Sequence, residues 1–297
     1  MNASAANENS DTTAGQSALQ LQVFVSPTNP IGDTGLTFSP TTSSLIYGER
    51  EVALVDAQYL KRDVADLGDA IEALGRTLTT IFVTHGHGDH YFGIGALTQR
   101  FPGARVVATP KVAADIAERQ DQETANFFAW FGDDLVIPTA LPEPLDDGGL
   151  VIDGHRIDVI DVDQADLSPT SAVHVPQLGA IIAGDLAYNG IHQMLALTGP
   201  AEWDRWVASL DAIAALNPKT VVAGHKKPEA SDHDGQAILA NTRGYIRDFA
   251  RIAAEVASGE ELLEAMQVLY PDHGNLATLI VSAQVAKSGA SIGDIVG

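Results

Sequence analysis

The chain of 297 residues contains no cysteine. Disulfide bonds, thiolate nucleophiles and cysteine-ligated zinc or iron–sulfur sites are therefore excluded. Basic residues are also scarce, because 17 Lys and Arg stand against 39 Asp and Glu, which gives a formal net charge of −22. A surface this acidic disfavours nucleic acid and anionic membranes, since both are bound mainly through Lys and Arg. We expect neither as a partner.

Long apolar runs are missing as well. No stretch approaches the roughly 18 apolar residues of a membrane-spanning helix, and residues 1–20 lack the basic and apolar segments of a secretory signal. We therefore expect a cytoplasmic protein. Hydrophobic residues nevertheless make up 45% of the chain and charged residues 19%, the balance of a globular protein with a sizeable core.

The order of patterns along the chain indicates one folded domain. Residues 1–18 are rich in Ser, Asn, Ala and Thr without periodicity, which predicts a flexible tail. We expect a single domain over 19–297, in which strands and helices alternate, including a helix over 111–119. Short strands then dominate the middle, where Asp153-Gly154 and residues 177–179 predict hairpin turns, as residues 48–50 do earlier in the chain. The part 236–297 is helical. This order favours an α/β (α+β) fold, a four-layer αββα sandwich of two mixed sheets with a helical C-terminal part.

A cluster of metal-binding residue types follows a buried-strand pattern at 81–83. The segment 85–90 reads His-Gly-His-Gly-Asp-His. Buried His and Asp need polar partners, so this cluster is not explained by core packing. The two glycines allow a tight path on which neighbouring side chains converge. Imidazole and carboxylate together suit Zn²⁺, Fe or Mn²⁺.

The segment resembles the HxHxDH signature of the metallo-β-lactamase superfamily. Asp185, in Ala-Gly-Asp, and His225, in Ala-Gly-His, each end a later strand pattern, in the order that the family shows. The resemblance covers nearly the whole folded chain. It implies a metal-dependent hydrolase in which a hydroxide held by the metal attacks a carbonyl, with one or two zinc ions, or iron or manganese, as cofactor.

The family pattern also implies a ligand set. It comprises His85 and His87 on a first metal ion, Asp89, His90 and His225 on a second, and Asp185 between them. In that pattern Asp89 is also a catalytic residue, because it orients the attacking water.

The sequence departs from the family in the loop before Asp185, where the family carries another histidine ligand. Residues 163–170 contain none, and the loop length places either Gln164 or Asp166 at that position. Asp166 would be a good ligand for zinc, iron or manganese, whereas a neutral Gln carbonyl is a poor one. We therefore take Asp166 as the candidate ligand. The alternative is that neither residue binds and the first site is incomplete.

Two residues beyond Asp185 are candidates for substrate contact. Tyr188 has the spacing seen in acyl-homoserine-lactone lactonases, where a tyrosine hydroxyl faces the substrate carbonyl oxygen and assists catalysis. Simple packing is the alternative. His192 is expected near the mouth of the site, where it would contact substrate or replace the missing ligand. The aromatic cluster at 127–131 could form a hydrophobic wall beside the site.

The resemblance favours a hydrolase of a small-molecule ester or lactone, ahead of a β-lactam or a thioester. One alternative is a mononuclear iron dioxygenase of the same fold, and another is a non-enzymatic binding module. The charge of −22 disfavours the nucleases of the superfamily. No motif bears on the oligomeric state.

Overall fold

The computed structural model describes residues 18–146 and 149–290. The predicted tail, apart from Ala18, and the end of the predicted helical part, 291–297, lie outside these ranges. The strands described are β1 (Gln20–Val25), β2 (Asn29–Pro30), β3 (Thr37–Phe38), β4 (Thr42–Tyr47), β5 (Glu51–Val55), β6 (Thr77–Val83), β7 (Arg105–Ala108), β8 (Glu143–Pro144), β9 (Gly149–Ile152), β10 (His155–Val162), β11 (Thr170–Val175), β12 (Ala180–Ile182), β13 (Tyr188–Asn189), β14 (Thr220–Val222) and β15 (His225–Lys226). The helices are α1 (Lys61–Ala73), α2 (Gly88–Tyr91), α3 (Ile94–Arg100), α4 (Pro110–Phe131), α5 (Pro200–Ala214), α6 (Gly235–Glu255), α7 (Gly259–Leu269) and α8 (Leu276–Ser288).

Two mixed sheets form the centre of the fold. The first has the strand order β1-β4-β5-β6-β7-β8, antiparallel from β1 to β5 and parallel from β5 to β8. The second has the order β14-β12-β11-β10-β9 and is antiparallel except for β12 with β14. Ile46 and Phe82 of the first sheet share one apolar cluster with Val173 and Val222 of the second. The sheets therefore pack face to face.

Helices cover the two outer faces. Leu54 of the first sheet packs in one cluster with Leu67 of α1, and Ile181 of the second sheet packs with Trp206 of α5 and Phe249 of α6. These layers confirm the predicted αββα sandwich with C-terminal helices. Among the described helices, none is both long and apolar enough to cross a membrane.

Hairpins are predicted well by the turn residues. The β4–β5 and β9–β10 pairs are antiparallel, and the second turn has Asp153 at φ 49° and Gly154 at φ 81°. Positive φ at both central residues is the requirement of the tight hairpin turn that Asp-Gly favours. The β11–β12 hairpin is confirmed as well.

Helix α4 is longer than predicted, since it spans Pro110–Phe131 and not 111–119. It begins with Pro110 in its first turn and with the Thr109 side chain accepting a hydrogen bond from the Val112 N–H, both favoured at helix starts. No helix-breaking residue follows until Gly132, which has φ 52°. The aromatic cluster at 127–131 therefore lies on the last turns of this helix.

A group of stacked rings connects the loop after β13 to the C-terminal helices. His192 is 2% exposed, and its Nδ1 lies 3.0 Å from the Tyr245 hydroxyl of α6. The Tyr245 ring stacks on His273, 5.8 Å between centroids, and contacts Tyr270. Burial, with a smaller effect of His273, lowers the pKa of His192 to about 4.

We expect this histidine to make folding weaker in acid. As the pH falls below 6.5, the unfolded imidazole takes up a proton that the buried imidazole refuses until about pH 4. The unfolded state then binds more protons, so the free energy of unfolding drops across this window, by up to about 3 kcal/mol.

In His192→Gln this contribution to the pH dependence of the unfolding free energy should disappear. The control His233→Gln, at an exposed position, should keep it. Urea unfolding of the three proteins between pH 7 and pH 4 measures the slopes. Parallel slopes for wild type and His192→Gln would contradict the assignment.

Candidate metal centre

The cluster at 85–90 lies where β6 ends and α2 begins, between the two sheets. His85 and His90 are fully buried, and the His87 side chain is 12% exposed. The two glycines lie close to neighbouring side chains: a Cβ at Gly86 would lie 2.6 Å from the Asp115 carboxylate, and one at Gly88 would lie 2.4 Å from the Phe92 ring. The backbone therefore passes closely under α4 and turns the side chains toward one point.

The structure brings the predicted ligands together in two groups. In each group the candidate ligand atoms lie within 4.8 Å of one another. The first group is His85, His87, Asp166 and Asp185, and the second is Asp89, His90 and His225.

In the first group, two imidazole nitrogens and two carboxylates face each other. His85 Nε2 lies 3.1 Å from His87 Nδ1 and 3.6 Å from Asp185 Oδ2. His87 Nδ1 lies 3.4 Å from Asp166 Oδ2 and 3.7 Å from Asp185 Oδ2. Asp166 is therefore part of this group.

In the second group, Asp89 Oδ2 lies 3.4 Å from His90 Nε2 and 3.3 Å from His225 Nε2. Asp185 reaches this group too, because its Oδ1 is 3.2 Å from His90 Nε2 and its Oδ2 is 3.3 Å from His225 Nε2. Asp185 thus stands between the two groups, because its Oδ2 faces members of both while its Oδ1 faces His90.

These spacings fit a metal ion in each group. Zinc bonds of about 2.0–2.1 Å to nitrogen or oxygen in a tetrahedron put the ligand atoms about 3.3 Å apart, and the contacts above run from 3.1 to 3.7 Å. His90 Nε2, Asp166 Oδ1 and Asp185 Oδ1 are buried without a hydrogen-bond partner in the described part of the chain. Such atoms are costly unless something else satisfies them.

The charges of the site also favour the binding of a cation. Burial, together with the neighbouring Asp185 carboxylate, raises the pKa of Asp166 to about 8. Burial opposes the ionisation of Asp185 as well, but the imidazoles of His225, His90 and His85 outweigh it and hold the pKa of Asp185 well below its usual value. A divalent cation would supply the counter-charge that Asp166 lacks.

The loop before β11 separates the two candidates for the replaced ligand. Gln164 is buried, but its side-chain amide donates to the Ala165 carbonyl and its N–H donates to Ser209. Asp166 instead faces His87. The structure therefore places Asp166, and not Gln164, beside the first group.

A supporting residue that sequence reasoning missed is Asp56, at the end of β5. Its Oδ2 lies 2.8 Å from His90 Nδ1, and its carboxylate accepts hydrogen bonds from the N–H and the hydroxyl of Thr84. The Thr84 hydroxyl lies 2.9 Å from His85 Nδ1. Because a carboxylate only accepts, these contacts put protons on both Nδ1 atoms and leave both Nε2 lone pairs facing the centre. The sequence signal that could have indicated Asp56 is its position, since it is a carboxylate at the end of a strand.

The segment before β4 supports the second group. His225 Nδ1 lies 3.0 Å from the Pro40 carbonyl oxygen and 2.9 Å from the Ser39 hydroxyl, and the Thr41 hydroxyl donates to Asp89 Oδ2 at 2.8 Å. A carbonyl also only accepts, so His225 presents its Nε2 lone pair to the centre. Nothing in the local sequence of 39–41 points to this role.

The two predicted substrate contacts lie in different surroundings. The Tyr188 hydroxyl donates to Asp166 Oδ2 at 3.0 Å and also contacts Asp185 Oδ2 at 3.3 Å, and its ring stacks on His225. Tyr188 lines the cavity beside the centre, whereas His192 is buried against Tyr245 and is not among the described residues that line it. The substrate contact of His192 stays a prediction.

A cavity of about 690 Å³ opens directly onto both groups. Its floor includes His87, Asp89, Asp166, Asp185 and His225. The structure also places Phe127 and Trp130, from the aromatic cluster at 127–131, in its wall. A small molecule in this cavity would have direct access to the candidate ligands.

Comparison with known proteins agrees with this geometry. The family model described as Metallo-beta-lactamase superfamily matches residues 36–225, more than half of the chain. The uncharacterized protein YobT of Bacillus subtilis (strain 168) is 34% identical over 87 residues, which cover 28% of this chain and 37% of YobT. The chain thus matches little more than a third of that relative.

Two solved structures share the fold. A metallo-beta-lactamase family protein from Thermus thermophilus superposes with a TM-score of 0.61 at 23% identity, over 90% of this chain and 94% of that one. The metallo-beta-lactamase FIM-1 from Pseudomonas aeruginosa, solved in a mono-zinc form, has a TM-score of 0.56 at 16% identity, over 78% and 92%.

The carboxylate of Asp56 should be needed for tight metal binding. In Asp56→Asn the hydrogen bonds that orient His90 and Thr84 weaken, and we expect the affinity for metal to fall about 10- to 100-fold. Competition with a chelator, followed by elemental analysis, measures the loss.

Asp63→Asn is the matched control. Asp63 is equally buried but pairs with Asn29 and Arg62, away from the two groups. If Asp56→Asn retained metal as wild type does, or Asp63→Asn lost as much, the orienting role of Asp56 would be wrong.

Proposed function

Because this chain belongs to the metallo-beta-lactamase superfamily, we propose that it is a metal-dependent hydrolase acting on the carbonyl group of a small molecule. The proposal rests on one observation. Two adjoining groups of His and Asp share Asp185 at the floor of an open cavity, and their contacts have the spacing of metal ligands. Buried polar atoms arranged in this way have no evident structural benefit without a cation.

The proposed ligands follow the two groups. They are His85, His87 and Asp166 for a first ion, Asp89, His90 and His225 for a second, and Asp185 for both. Zinc fits the spacings, and iron or manganese are alternatives because Asp166 supplies an oxygen where the family pattern has a nitrogen. Either one or two ions would leave part of the cavity open to substrate.

Bound cations would supply a nucleophilic water at neutral pH and polarise a substrate carbonyl. The chain itself would position the reactants. Asp89, whose Oδ2 is fixed by the Thr41 hydroxyl, would orient the attacking water. Tyr188 would turn its hydroxyl from Asp166 to the carbonyl oxygen of the substrate and stabilise the charge that develops there.

We favour an ester or a lactone as the substrate. The position of Tyr188, on the cavity wall beside both groups, supports this choice. To test it, metal-loaded protein would be assayed against an aryl ester, a lactone, a thioester and a β-lactam, with and without chelator. We expect ester or lactone hydrolysis that chelator abolishes and added zinc restores. The proposal fails if no carbonyl substrate is hydrolysed, or if chelator changes nothing.

A second candidate function rests on the identity of Asp166. With His85 and His87, it makes a set of two imidazoles and one carboxylate, the set that holds iron in many non-haem oxygenases. An iron-dependent oxygenase is therefore the alternative. Iron in the purified protein together with oxygen consumption would favour it, and zinc alone without oxygen consumption would exclude it.

The metal content should depend on Asp166 and not on Gln164. We expect Asp166→Ala to lose about one ion per chain, because the first group keeps two imidazoles but loses its own carboxylate. Gln164→Ala is the control from the same loop and should bind as wild type does. Elemental analysis after dialysis measures both. Equal metal content in wild type and Asp166→Ala would contradict the ligand role.

A further inference from the structure

One wall of the cavity is an aromatic surface that begins at a candidate ligand. The Phe38 ring of β3 lies 6.0 Å from His225 and 5.8 Å from Phe127 of α4, between centroids. Trp130, one turn further along α4, lies 5.4 Å from Phe127. Phe38, Phe127 and Trp130 all line the cavity. The aromatic surface therefore runs unbroken from the metal centre to the end of α4.

Another part of the cavity wall is mostly aliphatic. It is formed by Met194, Ala196 and Leu197, before α5, and by Thr278 and Val285 of α8. Helix α8 carries one charged residue, Lys287, along its whole length. Leu279 and Ala283 bury one side of it in the outer core, and its other side faces the cavity. A helix that is apolar on both sides normally has both sides covered.

The charges along the cavity do not favour an anionic substrate. Among the described lining residues, Arg119 is the only Lys or Arg, and its guanidinium is already paired with Asp115 at 2.7 Å. Glu123 lines the same region. A carboxylate carried on the substrate would therefore meet a like charge and a cation that is already neutralised.

We propose that this cavity receives the apolar tail of a neutral acyl substrate, held between the end of α4 and helix α8 with its carbonyl at the metal centre. The inference rests on the proposed function and names its substrate class. The volume of about 690 Å³ is within the range of small-molecule pockets and accommodates more than a reacting ester group. Burial of the tail against both walls supplies the binding energy.

A series of nitrophenyl esters from acetate to decanoate tests the tail. We expect kcat/KM to rise about threefold for each added methylene until the cavity is filled. For an ester whose tail ends in a carboxylate, kcat/KM should be roughly a hundredfold lower than for the methyl-ended ester of equal length, because the charge would be buried without a partner. A flat series, or equal rates for the carboxylated ester, would overturn the inference.

Variants on both walls locate the tail. Val285→Trp and Ala129→Trp place a bulky ring in the cavity from α8 and from α4, and either one suffices if the other fails to fold. Each should lower the decanoate rate roughly tenfold or more, which corresponds to about two lost methylenes. The ratio of the decanoate rate to the acetate rate should fall as well, because the acetyl group lacks the methylenes that these positions would contact. The matched control is Val268→Trp on α7, where the valine is 78% exposed, and it should change neither rate.

Binding of decanol, measured by calorimetry, gives a readout that needs no turnover. Decanol should bind wild type and Val268→Trp equally, and Val285→Trp roughly tenfold more weakly. Metal-dependent acetate hydrolysis without any effect of tail length or of Val285→Trp would overturn the inference and leave the proposed function intact. If Val285→Trp weakened decanol binding but no ester were hydrolysed, the proposed function would be overturned and the assignment of an apolar binding pocket would stand.

Discussion

The contact on which the centre depends is that of Asp185 with the imidazoles around it. Its two oxygens lie 3.2 to 3.6 Å from nitrogens of His85, His90 and His225, so one buried carboxylate joins both groups. A charge so far from water is stable only when its surroundings compensate for lost hydration. Three imidazoles compensate the charge of Asp185. Asp166 is not surrounded in the same way, and burial together with the Asp185 carboxylate raises its pKa to about 8. A bound cation would offset this imbalance.

The backbone near Asp185 is arranged to permit that contact. A Cβ at Gly224 would lie 2.0 Å from Asp185 Oδ1, and Gly184 has φ 51° and packs against the Thr84 side chain. The Ala-Gly-Asp and Ala-Gly-His sequences are therefore more than strand ends. Their glycines leave space where Asp185 and His225, which follow strands of the second sheet, meet the cluster at 85–90, which follows β6 of the first sheet. Any larger residue at position 224 would push Asp185 away from both groups.

The sequence predicts the parts of this centre that are local. The spacing at 85–90, the positions of Asp185 and His225 at strand ends, and the hairpin turns were all sufficient to anticipate the fold and the clustering of these side chains. Gln164 and Asp166 were not separable, because the choice depends on which way one loop turns its side chains. Asp56 and the Ser39–Thr41 segment were missed since their contacts join residues far apart in sequence. The length of α4 was underestimated because its end depends on Gly132 and not on a change in composition.

Asp166 stands where the family pattern has a histidine ligand, and it also changes the charge of the centre. A carboxylate has two oxygens: Oδ2 faces His87 and accepts the Tyr188 hydrogen bond, while Oδ1 has no hydrogen-bond partner among the described residues. Relative to the family pattern, in which this ligand is a neutral histidine, the donor set gains one negative charge. Two divalent ions would then face three carboxylates, Asp89, Asp166 and Asp185, so that much of their charge would be offset. Among the described residues that line the cavity, the one Arg is already paired, so the walls add little positive charge. A neutral carbonyl compound, as proposed, would suit both the centre and the apolar walls.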